Sequence, residues 1–207
     1  MIGFTIDSIK LFLNWEELYG FDFKILEKEL TKVRKKRKYF SNSSQYIVWT
    51  EGFYKNFKIS FSKEQGIYLS GSISNYYKGY SELLKYSELK QAVEKLGSEL
   101  GLYLHDAWLY RIDLPVTIQT DKPVEQYSHY LFSDLSRFRR LEQHTGVLFK
   151  TVNIEFFIYN KSLQLLDKKG IRIPNALRLE LRLMRNVSDF FGIKEMKISD
   201  LYDSILS

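Results

Sequence analysis

The residues best suited to chemistry lie in a short run that ends in Tyr159 and Lys161. In residues 153–161 the alternate positions from Ile154 to Ile158 are apolar. A β-strand here would bury these positions and place Glu155 and Tyr159 on the opposite face. The run therefore predicts a phenol and a carboxylate on one face of a sheet.

Two further segments repeat this design. In residues 108–116 the apolar side chains up to Val116 are expected to point inward, and in residues 177–183 leucines alternate strictly with charged residues. If the three segments share a sheet, their polar groups converge on its open face. The groups expected there are Arg111, Asp113, Glu155, Tyr159, Arg178, Glu180 and Arg182.

Such a set has a specific chemical capacity. Two carboxylates can hold a hard cation through oxygen ligands, and the cation can polarise a phosphodiester. Nearby arginines and Lys161 would balance phosphate charge, while the Tyr159 phenol could attack phosphorus. The alternative is a solvated sheet face with cross-strand ion pairs worth ~1 kcal/mol or less each. Spacing alone favours the alternative.

Composition bounds the function classes. The chain has 207 residues, 44% of them hydrophobic, which suits a single domain with one sizeable core. It carries 31 Lys and Arg against 25 Asp and Glu, which gives a net charge of +6. This charge favours binding to polyanions such as nucleic acid or to anionic membranes, or it serves only solubility. The lack of cysteine excludes disulfides and thiolate sites and is compatible with a reducing cytoplasm. No signal-like N-terminus and no window of 18 apolar residues is present, so neither secretion nor membrane spanning is expected.

The first half of the chain reads as strands and two helices. Helical spacing predicts a helix from Asp22 to about Lys36 that runs into a cluster of five cations, including Lys35, Lys36 and Arg37, which is either a solvated helix end or a phosphate contact. A loop over 70–79 contains Lys78 between aromatic residues and suits either single-strand stacking or a solvated turn. The remaining elements expected here are a strand over 4–13, strands over 45–50, 53–62 and 66–74, and a helix over 87–102.

The second half continues the same mixture. A helix over 123–137 is expected to end in a second basic cluster that includes Arg139 and Arg140, again a helix end or a phosphate contact. Besides the three polar-faced segments, we expect a strand near 146–150, a polar connection over 167–174 and a helical end over 187–207.

Five short stretches, in order, resemble the replication initiators of filamentous phages of the gene II/X type and, more distantly, those of staphylococcal rolling-circle plasmids. The resemblance covers roughly residues 1–195. The stretches are residues 6–10, 70–74, 111–114, 157–161 and 177–180.

The resemblance implies a fold and roles for individual residues. The fold is α+β, an antiparallel, ferredoxin-like sheet related to the HUH endonucleases with helices packed on one face. Tyr159 would be the nucleophile that nicks one DNA strand and becomes linked to the 5′-phosphate, with Lys161 as phosphate or phenolate partner. Asp113 and Glu180 would bind Mg²⁺ or Mn²⁺.

Three departures from these relatives are visible. The histidines, His105, His129 and His144, form no His-x-His pair, so ligation would be mainly by carboxylates. Thr117 stands where the plasmid relatives have a further Asp, and Glu155 is the candidate substitute. The phage-type relatives are longer, so a C-terminal segment is expected to be missing or shortened.

The expected function is site-specific, metal-dependent nicking and joining of single-stranded or hairpin origin DNA in the cytoplasm. A host helicase and a single-strand-binding protein are the implied partners. A homodimer fits such initiators, although no heptad pattern predicts one. The alternatives are a DNA-binding regulator with the same fold but no nicking activity and, more weakly, an RNA-binding protein.

Overall fold

The computed structural model describes residues 5–41, 44–79, 82–128, 137–184 and 187–204. The strands are β1 (Thr5–Ile6), β2 (Ser8–Asn14), β3 (Thr31–Tyr39), β4 (Tyr46–Tyr54), β5 (Phe57–Ser62), β6 (Gly66–Ser72), β7 (Leu84–Lys85), β8 (Trp108–Gln119), β9 (Arg139–Gln143), β10 (Gly146–Lys150), β11 (Ile154–Asn160) and β12 (Ala176–Leu183). The helices are α1 (Phe23–Glu29), α2 (Ile73–Lys78), α3 (Leu89–Leu100), α4 (Glu125–Ser128), α5 (Lys161–Lys169), α6 (Val187–Phe191) and α7 (Ile198–Ser204). The predicted α+β class with an antiparallel sheet is confirmed.

The chain forms two compact units. The N-terminal unit comprises residues 6–112 and 187–207, and the central unit comprises residues 1–5 and 113–186. Strand β8 runs from one into the other. The expectation of a single initiator domain over 1–207 stays a prediction. No helix in the described ranges has both the length and the apolar character needed to cross a membrane.

The sheet of the N-terminal unit has the strand order β3-β4-β5-β6-β2-β8. Ile9, Leu11 and Leu13 of β2 are buried, and so are the apolar residues of β5 and β6 on the same face of the sheet. Helix α3 ends at Gly101, which has φ +66°, a conformation that glycine adopts without a Cβ penalty. Its buried stripe, Leu89, Val93, Leu96 and Leu100, confirms the helix predicted over 87–102.

Two predictions in this unit are wrong. The helix expected to reach Lys36 ends at Glu29, and the cations of residues 34–38 lie on strand β3, where each is exposed. The loop expected over 70–79 contains helix α2 instead, which Ser72 caps by accepting a hydrogen bond from the Asn75 amide. Strand pairing with β4 and side-chain capping overrode the local patterns.

The sheet of the central unit has the order β8-β12-β11-β10-β9, with β8 contributing residues 113–119. One face of the sheet packs on an apolar cluster of Val124, Phe149, Ile158 and Leu177. The other face carries Glu155, Tyr159, Arg178, Glu180 and Arg182. We call these residues, together with Asp113 of β8, which stabilises the charge of Arg182, the polar face.

Of the predictions after residue 112, four need correction, and the helix over 123–137 lies mostly outside the described residues. Within the helix expected over 123–137, the structure contains the short helix α4. Residues 129–136, which include His129, lie outside the described ranges. Arg139 and Arg140 lie on β9 rather than at a helix end. Helix α5 extends through residues 167–169, the first three of the expected polar connection, and Val116, expected to be buried, is 48% exposed. In the helical end expected after residue 187, two helices are separated by residues 192–197.

Candidate active site on the polar face of the central unit

Strand register brings the polar residues into cross-strand rows. Because directly opposed residues share a face, Tyr159 lies beside Arg178, and Glu155 lies beside Arg182. The expected convergence of β11 and β12 on one face is confirmed. The same register extends the second row through Lys150 to Arg139.

The polar face is buried, not solvated. Asp113, Tyr159 and Glu180 are 2%, 3% and 3% exposed, and Glu155 and Arg178 are 7% and 6% exposed. The expected open face of solvated ion pairs is therefore wrong. Charges that are excluded from water must be paired and hydrogen-bonded. Loss of one of these contacts therefore destabilises the fold more than loss of a surface ion pair.

The Tyr159 phenol is held by Glu180 and Arg178. Its hydroxyl donates to Glu180 Oε2 at 2.9 Å, and Arg178 Nη1 donates to the phenol oxygen at 3.5 Å. Burial raises the pKa of the Tyr159 phenol above its ordinary range, and the Glu180 carboxylate raises it further, whereas Arg178 lowers it. At neutral pH the phenol is therefore protonated, and its proton faces a carboxylate oxygen.

Arg182 connects the acidic residues. Its Nε donates to Glu180 Oε1 at 2.6 Å, and its Nη1 donates to Glu155 Oε2 at 3.4 Å. Burial lowers the pKa of the Arg182 guanidinium, but Glu180, Asp113 and Glu155 together raise it above its ordinary value. Three carboxylates thus stabilise this one cation.

Lys161 lies near the phenol but at the start of another element. Its ammonium donates to Gln164 at 2.9 Å and lies 5.9 Å from the centre of the Tyr159 ring. Helix α5 begins at Lys161 because the Asn160 side chain accepts from the Leu163 amide at 2.9 Å. The helix cap therefore fixes the position of Lys161 relative to Tyr159.

A cavity of about 430 Å³ adjoins the polar face. Phe157 and Arg182 line it from the sheet, α5 contributes Gln164, Asp167 and Lys168, and the β9–β10 turn completes the lining. Phe157 stacks on Tyr159 with ring centres 4.3 Å apart. Phe157 therefore contacts both the cavity and the ring of Tyr159.

The carboxylates fit a divalent cation in their chemistry. Mg²⁺ is usually bound through one or two carboxylates together with substrate phosphates, and Asp113 and Glu180 supply such a pair. The described residues contain no assembled group of three or more acidic or histidine ligands. In this arrangement the Arg182 guanidinium compensates the charge of the carboxylates.

The structure also places the other predicted residues. Thr117, at the position where the plasmid relatives have Asp, accepts from Arg178 Nε at 3.0 Å. Arg140 pairs with Glu142 at 2.5 Å, and Lys78 pairs with Glu88 at 2.7 Å. Arg111 belongs to the N-terminal unit, as do Lys35, Lys36, Arg37 and Lys78.

Two residues of the site were not predicted. Lys150 pairs with Glu155 at 3.2 Å, and its position opposite Glu155 became visible only with the strand register. Gly146 opposes Tyr159, and a Cβ at Gly146 would lie 2.5 Å from the Tyr159 Cα and 2.0 Å from the Ile158 carbonyl oxygen. The only signal for Gly146 in the sequence is its place after a short polar turn.

Comparison with known proteins gives a distant structural similarity. No family model matches the chain, and no curated protein matches it. The chain is similar to a solved structure of a rolling circle replication initiator protein from Geobacillus stearothermophilus, with 15% sequence identity and a TM-score of 0.45 over 89% of this chain and 75% of that one. This identity is too low to transfer the role of any residue.

Proposed function

We propose that this protein is a metal-dependent DNA nicking and joining enzyme that initiates rolling-circle replication and uses Tyr159 as its nucleophile. The observation that carries the proposal is the Tyr159 hydroxyl, which donates to Glu180 at 2.9 Å beside the Arg178 guanidinium. A phenol needs a base to become a nucleophile and a nearby cation to stabilise its charge. Both are in contact with this one oxygen. The sequence resemblance to phage and plasmid initiators supports the same assignment.

The proposed step exchanges one phosphate ester for another. The Tyr159 oxygen forms a bond to phosphorus, and the bond from phosphorus to the 3′ oxygen breaks. The phenol proton passes to Glu180, and the leaving 3′ oxygen takes a proton from Lys161 or from water. The product is a 5′-phosphotyrosine ester and a 3′-hydroxyl, and the reverse step joins the strand without a nucleotide cofactor.

Asp113 and Glu180 would hold Mg²⁺ or Mn²⁺, which supplies charge stabilisation at the phosphoryl oxygens. Arg178, Arg182 and Lys161 would bind the phosphate and keep it in line with the Tyr159 oxygen. Because Tyr159 is 3% exposed, DNA reaches the phenol only after a path to it opens. The cavity beside Phe157 is the proposed start of that path.

The test is a covalent-adduct assay with purified protein, Mn²⁺ and a panel of labelled single-stranded and hairpin DNAs. We expect an adduct that requires Mn²⁺ and is lost in Tyr159→Phe and Asp113→Ala. Tyr54→Phe is the matched control, because the Tyr54 phenol also donates to a carboxylate, that of Glu99, at 2.9 Å. An adduct that persists in Tyr159→Phe would refute the assignment of the nucleophile.

The burial of Tyr159 favours one second candidate, a DNA-binding regulator that does not nick. A phenol that is 3% exposed and hydrogen-bonded to Glu180 can stabilise the fold without acting as a nucleophile. This candidate predicts no adduct on any DNA, together with salt-sensitive DNA binding that Tyr159→Phe leaves intact.

A further inference from the structure

The outer face of the sheet in the N-terminal unit carries a group of aromatic rings. The opposite face is the core, where Leu11, Ile59 and Leu69 are fully buried. On the outer face the Phe12 and Tyr68 rings stack with centres 4.4 Å apart, and the Trp49 ring lies 5.7 Å from Tyr68. These rings are partly exposed, so the face is neither core nor ordinary polar surface.

A β-bulge adds a fourth ring to this face. The register between β2 and β8 shifts between Lys10 and Leu11, so that Tyr110 is the extra residue on β8. The Tyr110 ring contacts Phe12 at 5.8 Å and Tyr68 at 6.0 Å and is 39% exposed. In a regular strand, Tyr110 and Arg111 would lie on opposite faces of the sheet. Because of the bulge, Tyr110 lies on the outer face together with Arg111, which is paired with Lys10 of β2.

Cations border the rings on both sides. The Lys10 ammonium lies 5.1 Å from the Tyr68 ring centre. On the other side, Lys36 opposes Trp49, and Lys38 lies on the same side of β3 as Lys36. A hollow of about 360 Å³ is lined by Lys36 and Lys38 of β3, by the Trp49 and Tyr68 rings and by Glu51, the partner of Lys36.

Strand β3 has a large excess of positive charge. Six of its nine residues are Lys or Arg, and all nine are exposed. Carboxylates pair with two of the six, Glu27 with Lys35 at 3.2 Å and Glu51 with Lys36 at 2.6 Å. Within the described ranges, Arg34, Arg37 and Lys38 have no carboxylate partner. A partner that covers this face must therefore be anionic.

We infer that this face, formed by Phe12, Trp49, Tyr68, Tyr110 and the cations on the same side of β3, Arg34, Lys36 and Lys38, is a binding track for single-stranded DNA. Single strands expose the flat faces of their bases for stacking and their phosphates for cations, and this face offers both kinds of contact side by side. A duplex hides its base faces, so aromatic rings would gain nothing from it. The choice of DNA rests on the proposed function, while stacking and charge complementarity rest on the face alone.

The first test measures binding of a fluorescent oligo(dT), which offers no specific site. Tyr68→Leu keeps apolar volume but removes the stacking surface, and we expect it to weaken binding about 5-fold or more, whereas Tyr68→Phe stays within about 2-fold. Tyr110→Ala, at the exposed bulge, provides a second variant that leaves the core intact. Tyr19→Ala is the matched control, because the Tyr19 ring is 98% exposed in the same unit. Equal affinities for all four variants would overturn the inference.

The second test measures the salt dependence of the same binding. Each phosphate contact on a single strand contributes about 0.7 to the slope of log K against log salt concentration. Replacing the two cations on this side of β3 that have no carboxylate partner, Arg34 and Lys38, by Gln should therefore reduce the slope by about 1.4. The same reduction in a control that replaces two exposed lysines elsewhere in the unit, Lys24 and Lys28, would show that only net charge matters and would overturn the track.

These outcomes separate the track from the proposed function. Binding that depends on Tyr68, with no adduct on any DNA, would leave the track standing and remove the nicking activity. An adduct at Tyr159 together with binding that ignores Tyr68 would do the opposite. Tighter binding of oligo(U) than of oligo(dT) would overturn the choice of DNA.

Discussion

Removal of Arg182 should be costly, because three buried carboxylates share this cation. Its guanidinium lies 2.6 Å from Glu180 and 3.4 Å from Glu155, and Asp113 also stabilises its charge. Loss of one partner from a buried ion pair costs about 3–5 kcal/mol. The Arg182 side chain is 22% exposed and Glu180 only 4%, so we expect the lower end for Arg182→Met, about 3 kcal/mol of unfolding free energy.

The assay is urea denaturation at pH 7, with Arg140→Met as the matched control. Arg140 also lies on a strand of the central unit and pairs with a carboxylate, Glu142, but their side chains are 53% and 68% exposed. An exposed pair of this kind contributes at most about 1 kcal/mol. The two variants remove the same side chain and differ only in burial and in the number of acidic partners.

Mn²⁺ should restore the stability of Arg182→Met more than that of the parent protein. Without the guanidinium, Asp113, Glu155 and Glu180 lose their shared cation, and a divalent ion with oxygen ligands can take its place. At a concentration 100 times its dissociation constant, such an ion would restore about 2.7 kcal/mol. A loss no greater than that of Arg140→Met, or a response to Mn²⁺ no greater than that of the parent, would refute this account of the polar face.

Three further predictions concern other positions. Burial raises the pKa of Glu99, but hydrogen bonds from Lys55, Tyr76 and Tyr54 lower it to about 2. Ionised Glu99 therefore stabilises the fold above about pH 4.5, and this contribution is lost as the pH falls toward 2. Glu99→Gln should thus cost about 1–2 kcal/mol at pH 7, after allowance for partial exposure, and nothing at pH 2; a loss independent of pH would contradict this. Gly146→Ala should reduce both thermal stability and adduct formation, because its Cβ would overlap the backbone beside Tyr159, and unchanged melting would contradict that close contact. Asn160→Ala should cost about 1 kcal/mol through loss of the α5 cap, whereas Asn160→Ser, which keeps a cap acceptor without placing a carboxylate against Glu125, should cost less in the same denaturation experiment.

The alternation of apolar and polar residues predicted the strands that have one apolar side and one polar side. The leucines of residues 177–183 and the alternate residues of 153–161 led directly to β12 and β11. The same pattern could not show that the polar side was also buried. Alternating Arg and Glu look identical in a sequence whether water or another layer covers them, and only the packing of α5 and the pairing distances separate the two cases.

The errors in helix prediction have two different causes. The apolar spacing from Phe23 to Val33 suits a helix throughout, but pairing with β4 takes over after Glu29, and Lys32 adopts φ +54° at the register irregularity near the start of β3. Tertiary pairing of this kind leaves no local trace. Helix α5, in contrast, had readable signals, Asn160 as its cap and Gly170 with φ +68° at its end, which the polar composition of the segment obscured.

The charges of the polar face account for both its burial and its proposed chemistry. Asp113, Glu155 and Glu180 are compensated by Lys150, Arg178 and Arg182, so the face is close to neutral and can be excluded from water. Under the proposed function, a bound phosphate would compete with the carboxylates for the two arginines. The acidic side chains would then lose their compensating charge when substrate arrives, and this is the condition under which two carboxylates and a phosphate attract a divalent cation most strongly. The arginines that stabilise the resting site would thus couple metal binding to DNA binding.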